Sequence, residues 1–135
     1  MSEKILENFF ELAERLGTGQ YGEVWLAYRK EKQEERVAVK IFKKISRSDT
    51  VRHELKIMKE LQFVNASSRN LVDVVETDIM NSAGRQCLIL EYLAGKELFD
   101  RIVDRGYFSE RDAALTIASL AKALSLLHSK RIMHR

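Results

Sequence analysis

From Phe9 to Leu16 apolar and polar side chains alternate. Phe10, Leu12 and Leu16 are set toward a core and Glu11 and Arg15 toward water, the period of a half-buried strand. Gly17 to Gly22 interrupt the pattern as a turn. Residues 23 to 29 resume it with Val24-Trp25-Leu26-Ala27-Tyr28, rich in residues that favour strands. The run from Arg29 to Arg36 holds no apolar residue and reads as a solvated hairpin turn. A third strand, 36 to 42, places Ala38 and Lys40 on one side and Val37 and Val39 on the other. After a polar connector, 43 to 49, the period changes: Val51, Leu55, Met58 and Leu61 recur at helical spacing with Ile57 beside them, a helix of about three turns with Glu54 at the edge of its apolar stripe. Residues 65 to 70 form a polar loop, 71 to 77 a fourth strand, 81 to 85 a turn and 86 to 92 a fifth strand. Beyond a short connector, 93 to 96, a helix begins at Glu97. Ser109 then caps a second one, with an acid at position 112 and apolar Ala113, Ile117, Leu120, Ala121, Leu124 and Leu127 as far as His128. Five strands around one helix predict an α+β fold in which an antiparallel sheet packs against that helix and further helices follow. Residues 1 to 8 are a charged lead-in, a fragment of helix or a frayed end.

Composition narrows the function classes. A hydrophobic content of 45% supports a core in a chain of 135 residues. Lysine and arginine (23) nearly balance aspartate and glutamate (20), so the formal charge of +3 gives no case for a nucleic-acid partner. Cys87 is the sole cysteine, which rules out an internal disulfide or a cysteine-based zinc site within the chain and fits a reducing compartment. The acidic N-terminus lacks the basic start and apolar core of a secretory signal. No apolar run approaches the roughly 18 residues of a membrane span. A cytoplasmic or nuclear protein without membrane or nucleic-acid partners is expected.

Gly17, Gly19 and Gly22 have the spacing G-x-G-x-x-G, which lets backbone fold closely over something flat or anionic. In dinucleotide-binding sites such glycines lead into a helix whose N-terminus holds a pyrophosphate. Here a strand follows, which disfavours an oxidoreductase of that type. Eighteen residues after Gly22, Lys40 closes Val37-Ala38-Val39-Lys40, where its ammonium would aim at the underside of the glycine loop.

The combination resembles the protein kinase signature G-x-G-x-x-G-x-V followed by a V-A-I-K strand, with Val39 in place of isoleucine. His53-Glu54-Leu55-Lys56-Ile57-Met58 looks like the helix whose glutamate pairs with that lysine. Asn70-Leu71-Val72 is similar to the family's H-P-N-I/L-V turn, with Ser68 and Arg69 replacing His and Pro. Leu90-Glu91-Tyr92-Leu93-Ala94-Gly95-Lys96-Glu97-Leu98-Phe99 is similar to the hinge of calcium/calmodulin-dependent and calcium-dependent kinases, with Lys96 where a second glycine is common. The resemblance spans residues 10 to 135 and implies ATP with Mg²⁺. By it Gly17, Thr18, Gly19, Gln20, Tyr21 and Gly22 would cover the phosphates, while Lys40, held by Glu54, would meet their oxygens. Leu16, Val24 and Ala38 would cover the adenine faces, the backbone of Glu91 and Leu93 would meet its edge, Leu90 would be the gatekeeper and Glu97 would reach the ribose.

The resemblance further implies a kinase N-lobe over residues 10 to 92, after a lead-in at 1 to 9, and a hinge with the start of a helical C-lobe over 93 to 135. It implies a serine/threonine kinase that transfers the γ-phosphate of ATP to protein hydroxyls. At its end the chain matches the catalytic-loop pattern H-R-D-L/I-K-x-x-N through His134 and Arg135. The aspartate, the asparagine and the D-F-G metal ligand are not among the 135 residues, so this polypeptide alone is expected to be inactive. A naturally short, non-catalytic nucleotide-binding or interaction module is the alternative. Residues 109 to 135 are expected to be mobile, self-associated or aggregation-prone in isolation, because each large apolar side chain left in water forfeits about 1.5–3 kcal/mol.

Overall fold

A computed structural model describes residues 2–43, 49–64, 70–95 and 97–135. Residues 44–48 of the expected polar connector, residues 65–69 of the expected polar loop, with Ser68 and Arg69, and the Lys96 substitution lie outside the described residues.

The chain divides into two compact units, one reaching Leu93 and the other running from Ala94 to Arg135 together with residues 70–71. In the first unit the strands are β1 (Lys4–Ile5), β2 (Phe10–Gly19), β3 (Gly22–Arg29), β4 (Lys32–Phe42), β5 (Val74–Met80) and β6 (Gln86–Glu91), and its helix is α1 (Asp49–Gln62). Among the described residues they form one sheet in the order β1-β5-β6-β4-β3-β2. Every pairing is antiparallel except β1 with β5. The α+β reading therefore holds, with one addition: the lead-in supplies a sixth, two-residue strand and a 3-10 turn, Leu6–Asn8. Leu6 is completely buried, which anchors this segment on the sheet.

The two faces of the sheet follow from strand register, since residues directly opposite one another share a face. On one face Ala27, Val37, Val39, Ile41, Cys87 and Ile89 pack with Leu6, Phe10 and Ile79. On the other, Phe42, Leu88 and Val74 pack with Val51 of α1, flanked by Leu55, Met58 and Leu90. Each of these fully buried large side chains contributes about 1.5–3 kcal/mol relative to exposure. Burial pushes the Cys87 thiol up to about 12.

Several boundaries differ from the alternation reading. The turn expected over Gly17 to Gly22 contracts to Gln20 and Tyr21, because pairing continues to Gly19 opposite Gly22. Likewise β4 begins at Lys32, not Arg36: charged side chains on an outer stretch of a hairpin can stay solvated while their backbone pairs. The fourth strand begins at Val74, not Leu71, and the fifth ends at Glu91, one residue early. Leu16, placed with Phe10 and Leu12 on the core side, is instead 43% exposed. Register shifts between Leu12 and Glu14 and between Arg15 and Gly17 insert extra residues into β2, and each extra residue breaks the two-residue period.

The N-terminal segment is tied to the β5 side by polar contacts. Glu7 accepts hydrogen bonds from the Ser82 backbone N–H (3.0 Å) and hydroxyl (3.0 Å), and Lys4 pairs with Glu76 at 2.6 Å. Burial alone would raise the Glu7 carboxyl, but the Ser82 hydrogen bonds hold it below the ordinary carboxylate value. At Glu76 burial is similarly outweighed by Lys4 and by backbone N–H groups of Asp78 and Thr77, and the net direction is again downward.

The second unit contains α2 (Leu98–Arg105) and α3 (Glu110–Ser129). Gly106 ends α2 at φ +81°, a backbone conformation that favours glycine, and donates its N–H to the carbonyls of Ile102 and Val103. Ser109 caps α3 as expected, its hydroxyl accepting from the Asp112 N–H at 3.1 Å, while the Asp112 carboxylate lies 3.5 Å from Arg105. Along α3, Ala123 and Leu127 are buried whereas Leu115, Ile117, Leu120 and Leu124 are exposed. Among the described residues no helix is long and apolar enough to cross a membrane.

Candidate nucleotide site

Lys40 organises the α1-covered face of the sheet. It lies opposite Val24 on β3 and Leu88 on β6, and two residues earlier Ala38 lies opposite Leu26 and Leu90. Val24, Ala38, Lys40 and Leu90 therefore share one face, all partly exposed, and form an apolar floor with a single ammonium at its end. From α1, Glu54 reaches this ammonium: Lys40 Nζ donates to Glu54 Oε1 at 2.6 Å. The two side chains are 23% and 28% exposed, so the pair stands at the rim of the core with solvent access.

The glycine hairpin lies on the adjoining strands. At Gly17 and Gly19 a Cβ would meet nothing within 4 Å, leaving the backbone open to close approach. Gly22 differs. At φ +152°, a Cβ there would fall 2.1 Å from the Ile41 carbonyl oxygen, so this glycine is demanded by the packing of the hairpin on β4. The turn is further pinned where the Lys43 N–H donates to the Tyr21 carbonyl at 3.0 Å. Thr18 lies on β2 opposite Glu23, and Gln20 with Tyr21 makes the exposed tip.

The remaining expected residues divide by unit. Glu91 ends β6, with its N–H donated to the Asp73 carbonyl and its carboxylate accepting from the Asp73 N–H. An adenine contact through residue 91 must therefore use its carbonyl. Leu93, the last residue of the strand unit, is exposed. Glu97 belongs to the second unit, at the N-cap of α2, and its side chain makes no capping bond. Among the described residues no group of three or more His, Cys, Asp or Glu side chains is arranged to hold a metal ion.

The profile of the family described as Protein kinase domain matches residues 10–135. The chain belongs to the protein kinase family. Among similar kinases, calcium/calmodulin-dependent protein kinase type IV of Homo sapiens is 37% identical over 130 residues, covering 96% of this chain and 26% of the relative. Calcium/calmodulin-dependent protein kinase type 1 of Macrobrachium nipponense is 33% identical over 133 residues, 96% of this chain and 36% of the relative. A probable myosin light chain kinase of Dictyostelium discoideum is 34% identical over 136 residues, 98% of this chain and 27% of the relative. The chain spans from about a quarter to about a third of the length of these relatives.

Motif reading missed three residues of the face that carries Lys40: Leu26, Phe42 and Leu88. The signal was available for Phe42, because a step of two from Lys40 along a strand returns to the same face. The same step leads from Val24 to Leu26 and from Leu90 back to Leu88.

Proposed function

We propose that this chain carries the ATP-handling part of a protein serine/threonine kinase whose complete form passes the γ-phosphoryl group of ATP to protein hydroxyls. The carrying observation is the 2.6 Å contact between Lys40 and Glu54 at the end of the floor made by Val24, Ala38 and Leu90. The residues present fit a nucleotide. Half-buried apolar side chains suit the faces of a base, open backbone at Gly17 and Gly19 suits phosphate oxygens, and a fixed ammonium suits their charge.

In this reading Leu16, Val24 and Ala38 cover the adenine while the Glu91 carbonyl and the Leu93 backbone meet its edge, with Leu90 limiting access behind it. The hairpin from Gly17 to Gly22 lies over the phosphates, and Lys40 neutralises part of their charge while Glu54 keeps the ammonium extended. Bound ATP supplies the phosphoryl group to be transferred. Among the described residues no cluster of three or more His, Cys, Asp or Glu side chains is built to hold magnesium.

The match to the catalytic-loop pattern covers His134 and Arg135 within these 135 residues. The polypeptide by itself is accordingly assigned nucleotide binding without phosphoryl transfer. Calorimetric titration tests this: saturable ATP binding is expected with a dissociation constant weaker than about 10 µM. A phosphate-transfer assay on the isolated chain should show none. Sub-micromolar, Mg²⁺-dependent affinity, transfer by the isolated chain, or no binding at all would each overturn the proposal.

A further inference from the structure

Phe42 belongs to no motif, yet it meets the helix that carries Glu54, the strand that begins at Gly22 and the Lys40 ammonium. Its ring is 1% exposed and packs with Val51, Val74 and Leu88, beside Leu55 and Met58 of the helix that carries Glu54. Its backbone lies opposite Gly22, and the next residue, Lys43, holds the Tyr21 carbonyl. The Lys40 ammonium stands 4.8 Å from the centre of the Phe42 ring. The ammonium thus has two seats, a carboxylate on α1 and an aromatic face on its own strand.

Two seats do what one cannot. An ion pair at a partly exposed site leaves a flexible four-carbon stem free to swing about its partner, and solvent screens the attraction. The face of an aromatic ring attracts a cation through its quadrupole, and that attraction grows where water is excluded from the ring. A ring locked in the core therefore supplies a second point that fixes the direction of the stem.

We propose that Phe42 is a positioning residue for the phosphate-binding lysine, seating the Lys40 ammonium against its ring so that Glu54 and Phe42 together define its pose. The role of that pose in meeting phosphate rests on the nucleotide-handling reading above, whereas the seat itself does not.

The test uses Phe42→Leu, which keeps an apolar side chain in the core but removes the aromatic face. Ile89→Val, a core change on the opposite face of the sheet, serves as the control. The first readout needs no nucleotide: the rate at which an amine-directed ester acylates Lys40, measured by mass spectrometry relative to exposed Lys56 in the same molecule. A freed amine reacts faster, so Phe42→Leu should raise this ratio about threefold or more, while Ile89→Val leaves it unchanged. An unchanged ratio in Phe42→Leu, or an equal rise in both variants, overturns the proposal.

The second readout is affinity for ADP and adenosine. Phe42→Leu should weaken ADP about threefold, spare adenosine, and have no further effect once Lys40 is replaced by Met. Equal loss of both ligands, or a full additional loss in the Lys40→Met background, assigns Phe42 a packing role and overturns the proposal. Failure of the unmodified chain to bind ADP would instead sink the nucleotide reading, and the labelling ratio would still decide the seat.

Discussion

Glu54 reaches from the edge of α1's apolar stripe to meet Lys40 on β4 at 2.6 Å, a contact between residues 14 positions apart in sequence. Both side chains keep roughly a quarter of their surface in water, a setting in which ion pairs add little to folding, about 0–1 kcal/mol. Its value lies in orientation.

Replacing Glu54 by Gln should therefore change unfolding free energy by less than about 1 kcal/mol in urea denaturation. ATP affinity should nonetheless fall, and adenosine affinity should stay the same. Lys40→Met should show the same split more strongly. Equal loss of ATP and adenosine in either variant would point to a folding defect.

Gly22 and Gly19 occupy one hairpin but should respond in opposite ways. Alanine at 22 brings a methyl group against the Ile41 carbonyl, where the backbone of β4 cannot move aside without breaking its pairing, so a loss of more than about 2 kcal/mol is expected. Alanine at 19 meets open space and should cost less than about 1 kcal/mol. Paired urea titrations check both values, and Gly22→Ala should lose adenosine binding together with ATP binding.

Acid should loosen the N-terminal segment first. The Glu7 and Glu76 carboxyls lie below their ordinary value in the folded chain, so their contribution is fully present above the unfolded value and is lost as pH falls through the lowered ones. Thermal melts at decreasing pH below about 4.5 should show declining stability, and Glu7→Gln should make that decline shallower. Hydrogen exchange should report opening of β1 and the Leu6–Asn8 turn before β4 and β6.

Much of this fold was legible from residue order. The side alternation of Val37 to Lys40, the helical spacing from Val51 to Leu61 and the Ser109 cap all appear where local chemistry places them, because each depends on neighbours within a few positions. The lead-in did not, since its anchorage depends on Leu6 entering a cavity built by strands far along the chain. Leu16 failed for a different reason: a bulge shifts the period without leaving a compositional mark. At the candidate site the lysine, the glutamate and the glycines were legible as a motif, whereas Phe42 looked like ordinary core. Only the placement of the ammonium above its ring distinguishes it.

The burial of Cys87 has a practical side. A thiol with no exposed surface and a titration point near 12 stays silent toward maleimides at neutral pH. A fluorophore could thus be installed at a chosen site, such as Tyr21→Cys at the hairpin tip, without first removing the native sulfur. Fluorescence from that position would then test whether added nucleotide moves the hairpin, in an otherwise unlabelled chain.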